Sequence, residues 1–240
     1  MKTRITGFLI LLFLFTSGSI AHARNVEWEN LNNEARSLYQ RGQYDQAIVL
    51  VNKALDVAKK EWGNDHPNVA QTLNNLGLIY QDQGRYAQAE ALYKRSLEIW
   101  EKSLGSDSPA VAKGMNNLAE VYRAEARYAQ AEPLYKRALA IWEKALGPDH
   151  VEVGASLNNL ALLFKIQGHY TQAEALSQRS LAIWEKAAGP DHPDVAIGLN
   201  NLAGLYYHKV SMRRPSPSTT ARWRFWKKRL DLIILVWPGD

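Results

Sequence analysis

An all-α fold, built from a tandem repeat of helix pairs, follows from three features of this sequence. Asn-Asn-Leu recurs at Asn74-Asn75-Leu76, Asn116-Asn117-Leu118, Asn158-Asn159-Leu160 and Asn200-Asn201-Leu202, each time 42 residues on, and another step back lands on Asn32-Asn33. Apolar residues within each copy keep the 3.6-residue period of a helix. A break rich in Gly, Asp and Pro recurs at one fixed place in every copy. Further columns hold the 42-residue period: Tyr44, Tyr86, Tyr128 and Tyr170; Ala47, Ala89, Ala131 and Ala173; Trp100, Trp142 and Trp184. Periods of this length mark repeat architectures.

The chain opens on a segment that reads as a secretory signal. Lys2 and Arg4 form a short basic start, Ile5–Phe15 is almost continuously apolar, and Ala21-His22-Ala23 places small residues where a signal peptidase grips. Residues 1–23 are therefore predicted to be removed, leaving Arg24 first, with export to the periplasm or medium. An uncleaved N-terminal membrane anchor is the alternative, against which the apolar run stops short of the roughly 20 residues a spanning helix needs.

Helix pairs are predicted at about 26–63, 68–105, 110–147 and 152–189, with a fifth first helix over 195–207. In the second pair, Leu73, Leu76, Gly77 and Tyr80 make one face at i, i+3, i+4 and i+7. Gly84 ends that helix by allowing a left-handed residue. The partner helix over 86–104 turns Ala89, Leu92, Tyr93, Ser96, Leu97 and Trp100 inward. Small residues at 89 and 96 let the two helices approach, and Tyr93 fills the gap beyond. Gly105-Ser106-Asp107-Ser108-Pro109 then breaks the chain, with proline suited to the first turn of the next helix. A single pair cannot bury its apolar face alone, so the pairs must stack, each covering the last. The first copy is the most polar, with Glu34 in a leucine column and Val51 where tyrosine is usual, as an end repeat facing water requires.

Composition excludes several classes of function. The chain has no cysteine, which removes disulfides, thiol catalysis, cysteine zinc sites and lipid attachment through cysteine. The net charge of +5 is concentrated at the ends, and residues 24–208 carry 19 basic against 22 acidic side chains. No basic stripe is left to follow phosphates, so nucleic acid is not an expected partner. His66, His150 and His192 recur in the joints, with Ser108 in the fourth place. Successive layers of packed helices lie roughly 10 Å apart, too far for these histidines to share a zinc ion, whose ligands stand about 2 Å from it. Loop or capping roles are expected for them. Glu90, Glu132 and Glu174 are periodic and read as a solvated face or as inter-repeat ion pairs, and the Tyr and Trp columns read as core. No phosphate loop, metalloprotease motif or nucleophile elbow occurs, so neither an enzyme nor a cofactor is predicted.

The columns of Leu, then Gly or Ala four residues on, then Tyr, then Gly-x-Tyr-x-x-Ala, resemble tetratricopeptide repeats. The 42-residue unit with Asn-Asn-Leu-Ala, Ala-Glu-x-Leu-Tyr-Lys-Arg and Gly-Pro-Asp-His resembles the kinesin light chain subclass, here in a bacterial exported form. The resemblance covers about residues 26–207. It implies a right-handed α-α superhelix of about four and a half helix-turn-helix repeats, whose first helices line a concave groove. It further implies that Asn33, Asn75, Asn117, Asn159 and Asn201 present amides to an extended peptide. An amide offers two donors and two acceptor sites, suited to backbone recognition without a fixed sequence. Their neighbours Asn32, Asn74, Asn116, Asn158 and Asn200 share that task, or one asparagine of each pair bonds the adjacent repeat's backbone instead. Specificity falls to other groove positions, among them Arg36, Tyr39, Gln71, Gln81 and Glu120. Lys113, Arg123 and Lys165 favour a mildly acidic ligand or a free carboxylate. The predicted function is a non-catalytic scaffold that binds a protein or peptide. The alternatives are a self-assembling repeat protein, joined through an uncapped C-terminal end, and a truncated remnant.

After Tyr207 the period stops, and 208–240 reads as a non-repeat tail. Back-translation suggests a cause. Shifted by one base, codons chosen for Trp223–Leu235 give Leu-Ala-Ile-Leu-Glu-Lys-Ala-Leu and then Gly-Pro-Asp-His-Pro, the missing helix and joint at the expected offset. The hypothesis is a single-base deletion near the codons for Tyr207 and His208, and resequencing the locus tests it: an intact frame encoding the same tail in relatives would sink it. The rival reading is a tail that settles on an anionic membrane surface, since Arg222–Arg229 interleaves basic residues with Trp223, Phe225 and Trp226. On either reading the face of the fifth first helix is expected to be left exposed.

Overall fold

The computed structural model describes residues 25–211, 220–221, 224–228 and 231. The predicted signal segment, and most of the tail with its reading-frame and membrane-surface readings, lie outside the described residues. Every regular element among the described residues is a helix. They run α1 (25–40), α2 (Tyr44–Trp62), α3 (Pro67–Asp82), α4 (Tyr86–Leu104), α5 (Pro109–Ala124), α6 (Tyr128–Leu146), α7 (Val151–Ile166), α8 (Tyr170–Ala188) and α9 (Pro193–Ser211). The first helix of each later pair has 16 residues and the second 19. Elements of constant length at constant spacing are what a strict sequence period produces.

Two kinds of turn set that geometry. Within pairs, the chain passes through a left-handed residue at Gly42, Gly84 and Gly168, and at Ala126 in the third pair. The following N–H then bonds back five residues, as Arg85 N–H does to Tyr80 O at 2.8 Å and Arg127 N–H to Tyr122 O at 2.8 Å. This satisfies a carbonyl that the helix end would leave orphaned. The same arginines lie over the tyrosine rings they follow, 4.1 Å from Tyr80 and 4.2 Å from Tyr122.

Between pairs, Gly63, Gly105, Gly147 and Gly189 adopt φ of 84–89° with ψ of 155–168°, a region essentially restricted to glycine. The next helix starts on a capping side chain. Nδ1 of His66 accepts from Asn68 N–H, Oγ of Ser108 from Ala110 N–H, Nδ1 of His150 from Glu152 N–H and Nδ1 of His192 from Asp194 N–H. The joint histidines are thus N-caps, and serine replaces one of them because a single acceptor at that height suffices.

The chain divides into two compact units, Met1–Ser106 and Asp107–Asp240. In the first, Ala35 and Leu38 of α1, Ala47 and Val51 of α2, and Leu76 and Ile79 of α3 form a buried cluster. In the second, Leu181 and Trp184 of α8 pack with Val195, Leu199, Leu202 and Tyr206 of α9. Trp100, Trp142 and Trp184 are buried as the sequence leads one to expect. Tyr44, Tyr86, Tyr128 and Tyr170 are only half-buried, contrary to their reading as core, because each is the first residue of its helix and sits at the edge of the layer.

The α9 face also departs from expectation. Val195, Leu199, Leu202 and Tyr206 are buried against α8, and Trp226, 42 residues after Trp184, packs on the same cluster. Among the side chains described on α9, Ile197 and Tyr207 are the large apolar ones left exposed. No described helix is long and apolar enough to cross a membrane.

Candidate functional site

The asparagine pairs lie on the first helices, near the middle of each, where one residue of the pair turns toward the neighbouring layer. Within the first unit Asn75 Nδ2 donates to Asn32 Oδ1 at 3.1 Å. Within the second, Asn159 Nδ2 donates to Asn116 Oδ1 at 3.1 Å, and Asn201 Nδ2 donates to Asn158 Oδ1 at 2.8 Å. In these three cases the second asparagine of a pair bonds the first asparagine of the preceding layer. The bond joins side chain to side chain, where a backbone partner was the alternative expected.

Burial follows from this ladder. Asn32, Asn74 and Asn158 are buried, Asn116 is half-buried, and Asn75, Asn117, Asn159 and Asn201 are half-buried. At the two ends of the column Asn33 and Asn200 are exposed. One ladder bond uses one of the two donors on an amide and one acceptor site on its neighbour. Asn116, Asn159 and Asn201 therefore keep hydrogen-bonding capacity for a ligand, whereas Asn75 Oδ1 also accepts from Gln71 at 2.9 Å.

The predicted charged residues fare differently from one another. Lys113 is exposed and shares one cavity of about 260 Å³ with Asn116, Asn117, Trp142, Glu152 and Ser156. Three predicted site residues meet there, and Glu152 and Ser156 were not anticipated. Arg123 instead ion-pairs with Glu120 at 2.7 Å, three residues back on α5. Burial works against its charge, but the Glu120 carboxylate outweighs it and holds the guanidinium more firmly protonated than usual. Tyr135 also donates to Glu120, at 2.8 Å, and burial followed by that carboxylate raises its phenol above the ordinary range. Arg123 is thus committed to an internal network, which reduces what it offers a ligand.

Lys165 is half-buried near the end of α7, where burial lowers its ammonium from the usual value. Its Nζ lies 3.0 Å from where a Cβ on Gly204 would stand, so glycine at that point of α9 leaves the ammonium its room.

In the first unit, Ala35, Arg36, Tyr39, Val51, Leu78 and Ile79 line a second cavity, of about 250 Å³. Tyr39 donates to Asp82 at 2.5 Å, and its phenol is raised by burial and then by that carboxylate. Glu90 and Glu132 pair within their own helices, with Lys94 and Lys136 at 2.6 Å, and Glu132 and Glu174 also reach the next layer, at Gln167 and Tyr206.

A set of joint ion pairs was not foreseen. Asp65 meets Arg95 at 2.7 Å and Lys102 at 3.5 Å, Asp107 meets Lys144 at 2.6 Å, and Asp149 meets Lys186 at 2.5 Å. The aspartate and lysine columns were both visible at the 42-residue period, but nothing in the sequence indicates that a spacing of 37 residues closes on itself. Among the described residues no three His, Cys, Asp or Glu side chains come together to hold a metal ion.

Comparison with known proteins agrees with this architecture. The tetratricopeptide repeat family matches over residues 29–102, 70–140, 110–178 and 165–209. BtubC (BKLC) from P. vanneervenii superposes with a TM-score of 0.73 at 22% identity, over 88% of this chain and 81% of that one. The nearly identical TPR-like repeats of a Podosopora anserina kinesin light chain superpose with a TM-score of 0.68 at 23% identity, over 85% and 93%. MamA from Desulfovibrio magneticus RS-1, from residue 41 to its end, gives 0.54 at 12% identity, over 87% and 93%. These likenesses concern the fold. No curated protein matches the chain by sequence. The matched segments run from 29 to 209 and take in every helix pair, and the chain belongs to the tetratricopeptide repeat family.

Proposed function

We propose that the chain is a non-catalytic scaffold that holds a polypeptide along the face formed by its first helices. The observation that carries this reading is the cavity shared by Lys113, Asn116 and Asn117. There an exposed ammonium stands beside half-buried amides, next to the buried indole of Trp142. A cation fixes an acidic side chain or terminal carboxylate, and the amides take the backbone beside it. The family supports protein binding in general, and the first-helix face is where the spare amide capacity lies. Lys165, half-buried and short of counter-charge, favours the same ligand chemistry further along that face.

Export is part of this proposal, on the strength of the basic start, apolar run and Ala21-His22-Ala23. Edman sequencing of the protein recovered from the producing cells is expected to begin at Arg24, and a mature chain beginning at Met1 or Lys2 argues for retention.

The binding reading is tested by photo-crosslinking in the producing cells. A benzophenone side chain at position 113 should capture a discrete polypeptide, and the same probe at Lys94, exposed on the second helix α4, should not. Equal capture at both positions, or at neither, removes the first-helix face from the account.

A further inference from the structure

One column of the repeat has lost its side chain in the first copy, and the loss coincides with a cavity. Counting by 42, the column holds Val51, Tyr93, Tyr135 and Ser177. Tyr93 and Tyr135 are completely buried. The Tyr93 ring fits against Gly77, and its hydroxyl donates to Gln81 at 3.0 Å. The hydroxyl of Tyr135 donates to Glu120 at 2.8 Å. In the fourth copy, where Ser177 stands, Tyr206 of α9 brings a hydroxyl to the same helix, at Glu174 and Gln178.

In the first copy the positions of Gly77 and Tyr93 are taken by Ala35 and Val51, so a ring is exchanged for an isopropyl group and one methyl. Ala35 and Val51 are walls of the cavity of about 250 Å³ described above, closed further by Leu78 and Ile79. An apolar void of roughly 150 Å³ is enough to admit benzene.

The polar end of this hollow is also specified by the period. Arg36 stands at the position of Glu120, and Tyr39 at that of Gln81. Both line the cavity, and the amides of Asn32, Gln40 and Asn75 complete its polar side. Where Glu120 accepts from a phenol, Arg36 can only donate. A ring seated there meets donors at Arg36 and both donors and acceptors at the amides, a polarity that suits a phenol oxygen, which can accept and donate.

We infer that the hollow beside Val51 is a receptor for the phenol ring of a tyrosine in the bound polypeptide, taking the place that Tyr93 fills in the next copy. The ring lies between Ala35, Val51 and Ile79, and its oxygen meets Arg36. This deepens the proposed function and rests on it for the source of the ring. The shape and polarity of the hollow are properties of this chain alone.

The test uses p-cresol, the side chain of tyrosine, added to the full chain and followed through the methyl resonances of Ala35, Val51, Leu78 and Ile79. Saturable shifts with a dissociation constant on the order of 1 mM are expected, the range open to a ligand of so few atoms. Val51→Tyr, which restores the column, should abolish them. Val51→Leu, which fills part of the space and keeps an aliphatic core, should weaken binding severalfold. Absence of saturable shifts, or equal binding by wild type and both variants, overturns the inference. Capture at position 113 without p-cresol binding defeats the ring site alone. The converse result, p-cresol binding without capture, defeats the polypeptide reading and leaves a site for a free phenol.

Discussion

Gly77 packs so closely on Tyr93 that a Cβ added to the glycine would stand 2.7 Å from the ring. The ring belongs to a buried side chain anchored through its hydroxyl to Gln81, so it has little freedom to retreat. Gly77→Ala gains about 1 kcal/mol of helix propensity and meets an overpacking penalty of about 1–3 kcal/mol. A net loss of about 1 kcal/mol is expected, seen as a lower urea midpoint with unchanged slope. An unchanged or higher midpoint would show that the ring can yield; the third copy carries Ala119 and Tyr135 at the same two positions of the repeat.

Ala126 holds φ of 59° where the other pairs have glycine. A left-handed alanine is disfavoured by about 1–2 kcal/mol, while glycine loses about 0.4–1 kcal/mol through the freedom of the unfolded chain. Ala126→Gly is expected to raise stability by about 0.5–1 kcal/mol. Gly84→Ala should lower it by a similar amount. Thermal unfolding of the two variants checks the pair of signs together.

The ladder predicts a contrast between equivalent asparagines. Asn159→Ala removes the donor to Asn116 and should cost about 1 kcal/mol. Asn33→Ala, in the same column but exposed, should stay within about 0.5 kcal/mol of wild type. Equal effects on the denaturation midpoint would mean that the ladder bond contributes nothing.

Capping at the joints predicts a tolerated exchange. His150→Ser keeps an acceptor for Glu152 N–H and copies Ser108, so the midpoint should barely move. His150→Ala should lose about 0.5–2 kcal/mol. If serine and alanine behave alike, the side chain does not cap in solution.

Lys165 carries a pH signature. Its ammonium is lowered in the fold by burial, so the unfolded chain holds that proton more tightly. Its contribution to stability is therefore least favourable below the folded value and improves as pH rises from there toward the ordinary lysine range. Lys165→Met is expected to raise the thermal midpoint at pH 7, with the advantage narrowing as the pH approaches about 10. A lower midpoint for the methionine variant would mean the ammonium has a stabilising partner.

The helix pairs could be read from the sequence because each column repeats at one spacing, and Trp100, Trp142 and Trp184 lie where helical periodicity puts them. Periodicity reports which residues share a face, and says less about where a layer ends. That is why Tyr44 and its equivalents, at helix starts, read as core by period and yet lie half-buried. The asparagine pairs were legible as a column. Their mutual bonding was not, since an amide can donate or accept and sequence does not reveal which neighbour it meets. Arg123 illustrates the same gap. Its position suggested a ligand, but Glu120 three residues earlier engages it, an i,i+3 pair that local spacing does allow one to anticipate.

The ladder also bears on how such a chain can change its length. Asn75 meets Asn32 by the rule that joins Asn159 to Asn116 and Asn201 to Asn158, so within each unit one layer offers the acceptor and the next the donor. Duplication or loss of one 42-residue cassette within a unit therefore leaves each asparagine of the ladder with a partner of the same kind. A gene of this design can grow or shrink by whole copies without its proteins having to evolve a new joint.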